Sequence, residues 1–180
     1  MNKLIILDRD GVINEDSDHY IRSVDEWIPI PGSIKAIARL SKSGYSIAIA
    51  TNQSGIARGY YPLSELDAMH AKMNRLVQNQ GGKIDCITFC PHGPKDGCDC
   101  RKPDTGLVDQ IEARLKLSAK DSWFVGDSLK DLQCAIKKSC KPVLVKTGKG
   151  ERTLASAEGL ESAIVFDSLA DFVDHLLVHP

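Results

Sequence analysis

Short apolar runs alternate with longer amphipathic stretches along most of this chain. The apolar runs predict strands at residues 3–7, 45–50, 84–90, 122–125, 142–145 and 163–166. Several are continuous, as a strand buried on both faces requires. Strands that alternate with helices indicate a mainly parallel sheet covered on both faces. We therefore predict a Rossmann-like three-layer α/β/α fold.

The stretches between these runs predict helices near residues 32–43, 64–79, 105–115, 129–138 and 169–177. Ile37 and Leu40 lie on an apolar stripe along the first helix. Ser64 followed by Asp67 predicts a capping box at the start of the second. A chain of 180 residues is long enough for one sizeable core, and no repeat or linker divides it. We expect a single domain over residues 1–180.

The composition is that of a soluble globular protein. The formal net charge is −1, so the charge balance favours neither nucleic acid nor a membrane surface as a partner. No apolar run approaches the roughly 18 to 20 residues that span a bilayer. Asp8, Arg9 and Asp10 interrupt the apolar stretch at the N-terminus, which therefore predicts a buried strand rather than a signal peptide. We expect a cytoplasmic monomer.

Polar side chains follow the predicted strands at one recurring place, the carboxyl end. Asp8 and Asp10 end the first strand, Thr51 and Asn52 end the second, and Asp127 follows the fourth. In open α/β sheets, ligands bind beyond the carboxyl ends of the strands. We expect these residues to meet at one crevice.

The spacing of Asp8 and Asp10 suits a metal-assisted site. Two carboxylates two residues apart point to the same side, and they repel each other unless a cation lies between them. With Asp127 and Asp131 they form an oxygen-rich set that suits Mg²⁺, which also offsets the charge of a phosphate. The alternative is a capped turn, because Asp-x-Asp-Gly is frequent in turns.

Residues elsewhere in the chain favour phosphate chemistry over a simple turn. Thr51 and Asn52 offer a hydroxyl and an amide to a phosphoryl oxygen, and Lys102 offers a compact positive charge. A nucleophile, a hydroxyl, a lysine and an acidic metal site then follow one another at successive strand ends. The sequence predicts a phosphoryl-transfer site.

Three of the six cysteines cluster with a histidine. Within residues 90–100, Cys90, His92, Cys98 and Cys100 form a complete tetrahedral set for a structural Zn²⁺. The loop between them has no apolar residue with which to fold alone, so a metal would hold it together. Free thiols beside an exposed histidine are the alternative. The other cysteines lie in apolar segments and are expected to be buried: Cys86, Cys134 and Cys140.

These motifs together resemble those of a known superfamily. The order Asp8-x-Asp, Thr51, Lys102 and Gly-Asp127 is similar to the four motifs of the haloacid dehalogenase superfamily of phosphatases. The strings LDRDGVIN, ATNQSGIARG, CPHG, CDCRKP and VGDSLKD resemble more closely the D-glycero-D-manno-heptose-1,7-bisphosphate 7-phosphatases, with the histidinol-phosphate phosphatases as near relatives. The similarity covers residues 4–148.

The resemblance implies a role for each motif residue. Asp8 would attack phosphorus and become a transient aspartyl phosphate, while Asp10 would protonate the leaving alkoxide and then activate water. The Asp8 carboxylate, the Asp10 backbone carbonyl and Asp127 would hold Mg²⁺. Thr51 and Lys102 would hold the phosphoryl oxygens.

Two further positions follow from the resemblance. Asp131 would orient Lys102 or the metal shell, and Ser128 departs from relatives that have lysine at that position. The heptose phosphatases also carry a zinc loop of the kind at residues 90–100, which here leads directly into Arg101 and Lys102. We expect zinc to order both basic side chains at the crevice.

Superfamily members often carry a cap domain that is inserted after the first motif or between the second and third motifs. In this chain, neither of these two segments is long enough to hold a cap domain. Specificity would then be set by the loops 14–27 and 52–58 and by the loop that ends at Arg101. The segment 146–150 follows a strand and is expected to be a solvated turn, with a position at the crevice rim as the alternative. The candidates for substrate binding are Asp16, His19, Tyr20, Asn52, Gln53, Ser54 and Arg101, although His19 fits a surface position equally well.

The resemblance implies Mg²⁺-dependent hydrolysis of the C7 phosphate of D-glycero-D-manno-heptose 1,7-bisphosphate. The product would be a heptose 1-phosphate for nucleotide-activated heptose, a precursor of lipopolysaccharide or another surface glycan. A histidinol-phosphate phosphatase is the alternative on the same scaffold. A third hypothesis is a zinc-containing binding module whose carboxylates hold Mg²⁺ without catalysis.

Overall fold

The fold comes from a computed structural model that describes residues 3–156 and 158–179. Residues 1, 2, 157 and 180, which the single-domain prediction includes, lie outside the described residues. Six strands form one parallel sheet in the order β3-β2-β1-β4-β5-β6. The strands are β1 (Leu4–Leu7), β2 (Ser46–Asn52), β3 (Cys86–Cys90), β4 (Trp123–Gly126), β5 (Lys141–Val145) and β6 (Ile164–Phe166).

Helices alternate with the strands. They are α1 (Ser33–Lys42), α2 (Leu63–Asn79), α3 (Gly106–Leu115), α4 (Leu129–Lys137), α5 (Gly150–Ser156) and α6 (Leu169–Val178). The predicted three-layer α/β/α class is confirmed, and all six predicted strands are present. The prediction omitted α5, which begins in the segment that we expected to be a solvated turn.

The two faces of the sheet carry separate apolar clusters. All four residues of β1 are fully buried, and alternate side chains point to opposite faces because a strand has a period of two. Ile5 and Leu7 therefore join the cluster that includes α1, α2 and α6, whereas Leu4 and Ile6 join the cluster that includes α3 and α4. Alternation along β1 thus places neighbouring side chains of this strand in the apolar clusters on opposite faces of the sheet.

Helix capping differs from the prediction at one helix. The second helix begins at Leu63 with Pro62 as its N-cap, so Ser64 lies inside the first turn and the predicted Ser64–Asp67 capping box is wrong. Proline fits the start of a helix because an N–H there has no partner in any case. The structure has a capping box at α4 instead, where Ser128 and Asp131 bond each other's backbone.

The topology leaves the carboxyl ends of the central strands open. From β1 the chain first adds β2 and β3 on one side of the sheet and then β4, β5 and β6 on the other side. The point where the strand order changes direction in this way forms a crevice. Between β2 and β3 the described residues form turns and the single helix α2. In residues 3–156 and 158–179, no helix combines the length and the apolar character that a membrane span requires.

Candidate active site

The site begins where β1 ends. Asp8 is almost fully buried, and both the backbone N–H of Arg9 and the Lys102 ammonium contact its Oδ1, at 2.7 and 3.0 Å. The loop after β1 places Asp10 beside the same crevice. Asp8 thus has one carboxylate oxygen held in place by two donors.

Lys102 is fixed from three directions. Its ammonium donates to the Ala50 carbonyl and to Oδ1 of Asp131, both at 2.6 Å, besides contacting Asp8. The Asn52 side chain bonds both the N–H and the C=O of Lys102. Burial opposes the charge on Lys102, but the carboxylates of Asp131 and Asp8 outweigh burial and raise its pKa. Lys102 is therefore a fixed cation in the site.

Asp131 is a positioning residue in this arrangement. Its Oδ1 accepts from Lys102, while its Oδ2 accepts from the backbone N–H and the hydroxyl of Ser128 at 3.2 and 2.9 Å. Both oxygens are therefore occupied. Ser128 serves here as the helix cap that holds Asp131 against Lys102.

The segment 146–150 is part of the site, and the solvated-turn prediction is wrong. The backbone N–H of Lys149 donates to Oδ2 of Asp127 at 2.8 Å, and the Thr147 hydroxyl donates to the Gly11 carbonyl at 2.6 Å. Gly148 packs so closely against Gly11 that a Cβ on it would lie 2.4 Å from the Gly11 Cα. These backbones, far apart in sequence, together cradle the Asp127 carboxylate.

Three buried carboxylates lie close together in the site, and the Lys102 ammonium contacts two of them, Asp8 and Asp131. Ligand oxygens of Asp8, Asp127 and Asp131 lie within 4.8 Å of one another. Burial, followed by the charge of Asp131, raises the pKa of Asp127 to about 7, and the same two causes raise the pKa of Asp8. Carboxylates that resist ionisation in this way are those that a hard divalent cation stabilises. The donor set therefore fits a magnesium ion.

The surroundings of Asp10 shift its pKa in the opposite direction from those of Asp8 and Asp127. Burial alone would raise its pKa, but the adjacent Arg9 guanidinium and hydrogen bonds from Asn14, Arg9 and Gln53 lower it overall. Arg9 is fully buried and donates through two nitrogens to Oδ1 of Asp10, at 3.0 and 2.8 Å. We missed Arg9 in the sequence, although a buried arginine between two functional aspartates requires a charged partner.

A crevice of about 430 Å³ lies above these groups. Of the catalytic candidates, Asp8, Asp10, Thr51 and Lys102 line it. Of the substrate-binding candidates, Asp16, Tyr20, Asn52, Ser54 and Arg101 also line it, whereas His19 and Gln53 are not among its lining residues. Cations that we had not named as candidates line it as well, namely Arg58, Lys130 and Lys149.

Gln53 lies beneath the crevice surface. It is 3% exposed, and its amide nitrogen donates to Oδ2 of Asp10 at 3.0 Å and to the Thr51 hydroxyl at 2.8 Å. Its amide oxygen accepts from the Tyr61 hydroxyl at 2.6 Å. Gln53 therefore bonds Asp10 and Thr51 from the buried side, away from the crevice.

The cysteine cluster forms a second site. Sulfur and ring nitrogen atoms of Cys90, His92, Cys98 and Cys100 lie within 4.8 Å of one another. The Cys90 sulfur lies 3.6 Å from the Cys98 sulfur and 3.0 Å from the Cys100 sulfur, and His92 Nδ1 lies 3.4 Å from the Cys100 sulfur. Three thiols and one imidazole are the number and types of donor in a structural tetrahedral zinc site, so the donor set fits zinc.

Comparison with protein families agrees with this geometry. Residues 99–172 match the family model described as HAD-hydrolase-like. A crystal structure of D,D-heptose 1,7-bisphosphate phosphatase from B. bronchiseptica, complexed with magnesium and phosphate, superposes with a TM-score of 0.96 and 48% identity and covers 99% of each chain. The fold and the site define a HAD-like phosphatase, a phosphoric monoester hydrolase.

Relatives of known name narrow the class. The chain is 56% identical to the D-glycero-beta-D-manno-heptose-1,7-bisphosphate 7-phosphatase of Pseudomonas putida, over 97% of this chain and 99% of that protein. It is 58% identical to the enzyme of the same name from Pseudomonas aeruginosa, over 97% of each chain. The chain therefore belongs to the D-glycero-beta-D-manno-heptose-1,7-bisphosphate 7-phosphatase family.

Proposed function

We propose that this protein hydrolyses the C7 phosphate ester of D-glycero-beta-D-manno-heptose 1,7-bisphosphate through an aspartyl phosphate. The observation that carries the proposed reaction is the Asp8 carboxylate, held at one oxygen by Lys102 in a crevice with Asp10 and Thr51. The names of relatives that match 97% of the chain support the choice of substrate. Both of these relatives are named as heptose bisphosphatases, which favours the heptose substrate over histidinol phosphate.

Asp8 is the nucleophile in this proposal. Lys102 and the Arg9 amide both bond Oδ1, and no described donor bonds Oδ2. Oδ2 would attack phosphorus and form the aspartyl phosphate as the ester oxygen leaves. Lys102 and Thr51 would hold phosphoryl oxygens, which supplies the positioning and charge stabilisation that phosphoryl transfer chiefly needs.

Asp10 is the acid and then the base. It would give a proton to the leaving alkoxide and later take one from the water that hydrolyses the aspartyl phosphate. Its lowered pKa favours the ionised form in the resting site. An anionic phosphate beside the carboxyl raises that pKa, so the acid form would be populated when substrate binds.

Two metals belong to the proposal. The carboxylates of Asp8 and Asp127, with the backbone carbonyl of Asp10, would hold Mg²⁺. When bound, Mg²⁺ offsets the charges of the phosphate and the attacking carboxylate. The cluster Cys90, His92, Cys98 and Cys100 would hold a structural Zn²⁺.

The second phosphate of the substrate would meet positive charge at the crevice rim. Arg58, Arg101 and Lys130 line the crevice, and none forms a salt bridge with a carboxylate in residues 3–156 and 158–179. Burial, followed by repulsion from Arg101 and Lys149, lowers the pKa of Lys130. Lys130 and Arg101 repel each other and neither forms a salt bridge in the part of the chain that the structure describes, which favours a second anionic group on the substrate.

The remaining parts of the proposal concern cellular context. Asp16, Tyr20, Asn52 and Ser54 would bind the sugar hydroxyls, and the reaction would take place in the cytoplasm. We place it in the synthesis of nucleotide-activated heptose for lipopolysaccharide or another surface glycan. We propose that the protein works as a monomer.

Phosphate release from purified protein with Mg²⁺ tests the reaction and the substrate. We expect rapid release from the heptose bisphosphate, with ³¹P NMR showing that the C1 phosphate remains, and slow release from histidinol phosphate. Asp8→Asn should abolish turnover, because an amide cannot attack phosphorus, and should weaken Mg²⁺ binding without removing it, because Asp127 keeps its charge. Faster release from histidinol phosphate would contradict the substrate, and a wild type that hydrolyses no phosphate ester would contradict the reaction.

A further inference from the structure

The two oxygens of the Asp10 carboxylate have unequal surroundings. Oδ1 accepts three hydrogen bonds, two from Arg9 and one from the Asn14 amide at 2.8 Å. Oδ2 accepts only one, from the Gln53 amide at 3.0 Å. A carboxylate oxygen has two lone pairs, so Oδ1 is saturated while Oδ2 keeps one free. Oδ2 is therefore the oxygen with capacity to hold a proton.

The Asp10 carboxylate fixes the direction of the hydrogen bonds around Gln53. An ionised carboxylate can only accept, so the Gln53 atom that lies 3.0 Å from Oδ2 of Asp10 is the amide nitrogen, and its second hydrogen meets the Thr51 hydroxyl oxygen. The amide oxygen then faces Tyr61, whose hydroxyl donates to it at 2.6 Å. Each hydrogen bond from Tyr61 through Gln53 to Asp10 and Thr51 therefore joins one donor to one acceptor.

This direction also sets the orientation of the Thr51 hydroxyl. Because Thr51 Oγ1 accepts from Gln53, its own hydrogen is available to another acceptor. Thr51 lines the crevice, where a phosphoryl oxygen is such an acceptor. One buried amide thus acts on two groups that face the substrate.

Packing holds the amide in this orientation. Gln53 and Tyr61 are 3% and 5% exposed. The Tyr61 ring lies directly over Gly55, where an added Cβ would approach the ring to 2.3 Å. Burial in a site of this kind makes an unmade hydrogen bond costly, so the amide has little freedom to turn over.

We infer that Gln53, held by Tyr61, is a positioning residue that makes Oδ2 of Asp10 the proton-transfer atom and directs the Thr51 hydroxyl hydrogen toward the phosphate. The inference rests on the proposed function. In the first step, Asp8 forms its bond to phosphorus while the phosphorus–ester bond breaks, and the proton on Oδ2 of Asp10 moves to the departing ester oxygen. In the second step, Oδ2 takes a proton from water as water attacks phosphorus and the bond to Asp8 breaks.

Two substrates separate this role from a structural one. A sugar phosphate has a poor leaving group that needs a proton, whereas 4-nitrophenyl phosphate has a good one that does not. For Gln53→Leu, we expect kcat on the sugar phosphate to fall by about 10²-fold with KM nearly unchanged, the scale of lost acid–base catalysis. With 4-nitrophenyl phosphate, rapid mixing should show a burst of one nitrophenolate per site and then slow turnover, because only hydrolysis of the aspartyl phosphate still needs Asp10.

A second variant covers the case in which Gln53→Leu does not fold. Tyr61→Phe keeps the ring over Gly55 and removes only the hydroxyl, so a loss of about tenfold with the same burst is expected. Tyr45→Phe, at a tyrosine outside the crevice lining, is the matched control and should match wild type. Equal losses on both substrates without a burst, or full activity in both variants, would overturn the inference. A wild type inactive on both substrates would overturn the proposed function itself.

Discussion

At the scale of single residues, two aspartates two positions apart acquire opposite properties from their neighbours. Burial and the nearby Asp131 raise the pKa of Asp8, whereas Arg9 and the amides of Asn14 and Gln53 outweigh burial and lower the pKa of Asp10. Separate environments of this kind assign separate roles to paired carboxylates. A bound cation such as Mg²⁺ would favour the ionised form of Asp8, which is the form that the proposed mechanism uses as nucleophile.

The contact between Gly148 and Gly11 gives a first prediction. Gly148→Ala adds a Cβ that would lie 2.4 Å from both the Gly11 Cα and Oδ2 of Asp127, in a residue with a φ of +58°. We expect turnover to fall by at least about tenfold and the Mg²⁺ concentration for half-maximal activity to rise, since Asp127 must move. Gly44→Ala has a similar positive φ but only an ordinary contact at 3.5 Å. It should lose about 1 kcal/mol of stability and keep its activity; similar kinetics in both variants would contradict the prediction.

His70 gives a prediction about pH. It is buried, and its Nε2 lies 3.2 Å from the Arg9 guanidinium, which donates to it and so requires a neutral ring. Burial, followed by Arg9, lowers the pKa of His70 to about 3. In the unfolded chain His70 has a pKa near 6.5, so below that pH the unfolded chain binds a proton that the folded chain does not. The free energy of unfolding should therefore fall by about 1.4 kcal/mol per pH unit from this residue as the pH falls from 6.5 toward 3.

Urea unfolding at pH 7.0 and 4.5 measures the contribution of His70. His70→Gln keeps an acceptor for Arg9 but does not titrate, so its loss of stability between the two pH values should be smaller than that of wild type. Subtracting the loss of stability of His70→Gln from that of wild type cancels the contribution of the carboxylates, which titrate in both proteins. His19→Gln changes an exposed histidine and serves as the control. Identical losses in His70→Gln and wild type would contradict a neutral, buried His70.

At the scale of elements, the strands and most helices were predictable because their apolar patterns are local. Every predicted strand is present within a few residues of its expected bounds. Helix α5 was missed because it is short and only Gly150 of its residues is buried, so it has no apolar stripe to detect. Thr153 in this helix donates to the Asp127 carbonyl, and Thr147 and Lys149 just before the helix bond Gly11 and Asp127, which no local pattern records.

The site was predictable to the extent that it follows strand ends. Asp8, Thr51, Lys102 and Asp127 meet because parallel strands finish at one edge. The position of Gln53 behind Asp10 depends on the turn after β2, which folds the amide under the crevice floor, and no sequence pattern distinguishes that placement from one facing the substrate.

The loop 90–100 gives a prediction at this scale that corrects an expectation from the sequence. Arg101 is held by a 3.3 Å bond to the His92 carbonyl within the cluster, whereas Lys102 is held by Ala50, Asn52 and Asp131 outside it. If the cluster holds zinc as proposed, loss of the metal should therefore release Arg101 and spare Lys102. For Cys98→Ser we expect KM for the sugar phosphate to rise about tenfold, with kcat nearly unchanged.

Steady-state kinetics in excess Mg²⁺, with zinc content measured by atomic absorption, checks this expectation. Cys86→Ser changes a cysteine outside the cluster and is the matched control. Treatment of the wild type with a zinc-selective chelator should reproduce the Cys98→Ser kinetics. A fall in kcat with unchanged KM would show that the loop positions Lys102 after all.

At the scale of the whole molecule, the open sheet concentrates acidic groups from separate segments at one edge. Asp8 follows β1, while Asp127 and Asp131 follow β4, and all three are buried. Such a concentration opposes folding unless a cation is bound, because like charges in a poorly solvated site repel. The arrangement that makes the crevice reactive should therefore cost stability in the metal-free protein.

Asp127→Asn tests this relation between charge and stability. Burial and Asp131 raise the pKa of Asp127 to about 7, so its ionised form destabilises the fold above its unfolded pKa near 3.9 and does so fully above pH 7. At pH 8 without Mg²⁺, Asp127→Asn should be more stable than wild type by roughly 1 to 4 kcal/mol in urea unfolding. Asp67→Asn, at an exposed helix position, should leave stability within about 0.5 kcal/mol of wild type.

Added Mg²⁺ should reverse the order of the two proteins. A ligand that binds only the folded state at a hundred times its Kd adds about 2.7 kcal/mol. Wild type should gain this stability, whereas Asp127→Asn, lacking a charged ligand, should gain little and show no turnover. Because chelators would also remove zinc, the metal-free state is prepared by dialysis. Equal gains in both proteins would mean that Mg²⁺ binds without Asp127, and a less stable metal-free variant would mean that this carboxylate is not under electrostatic strain.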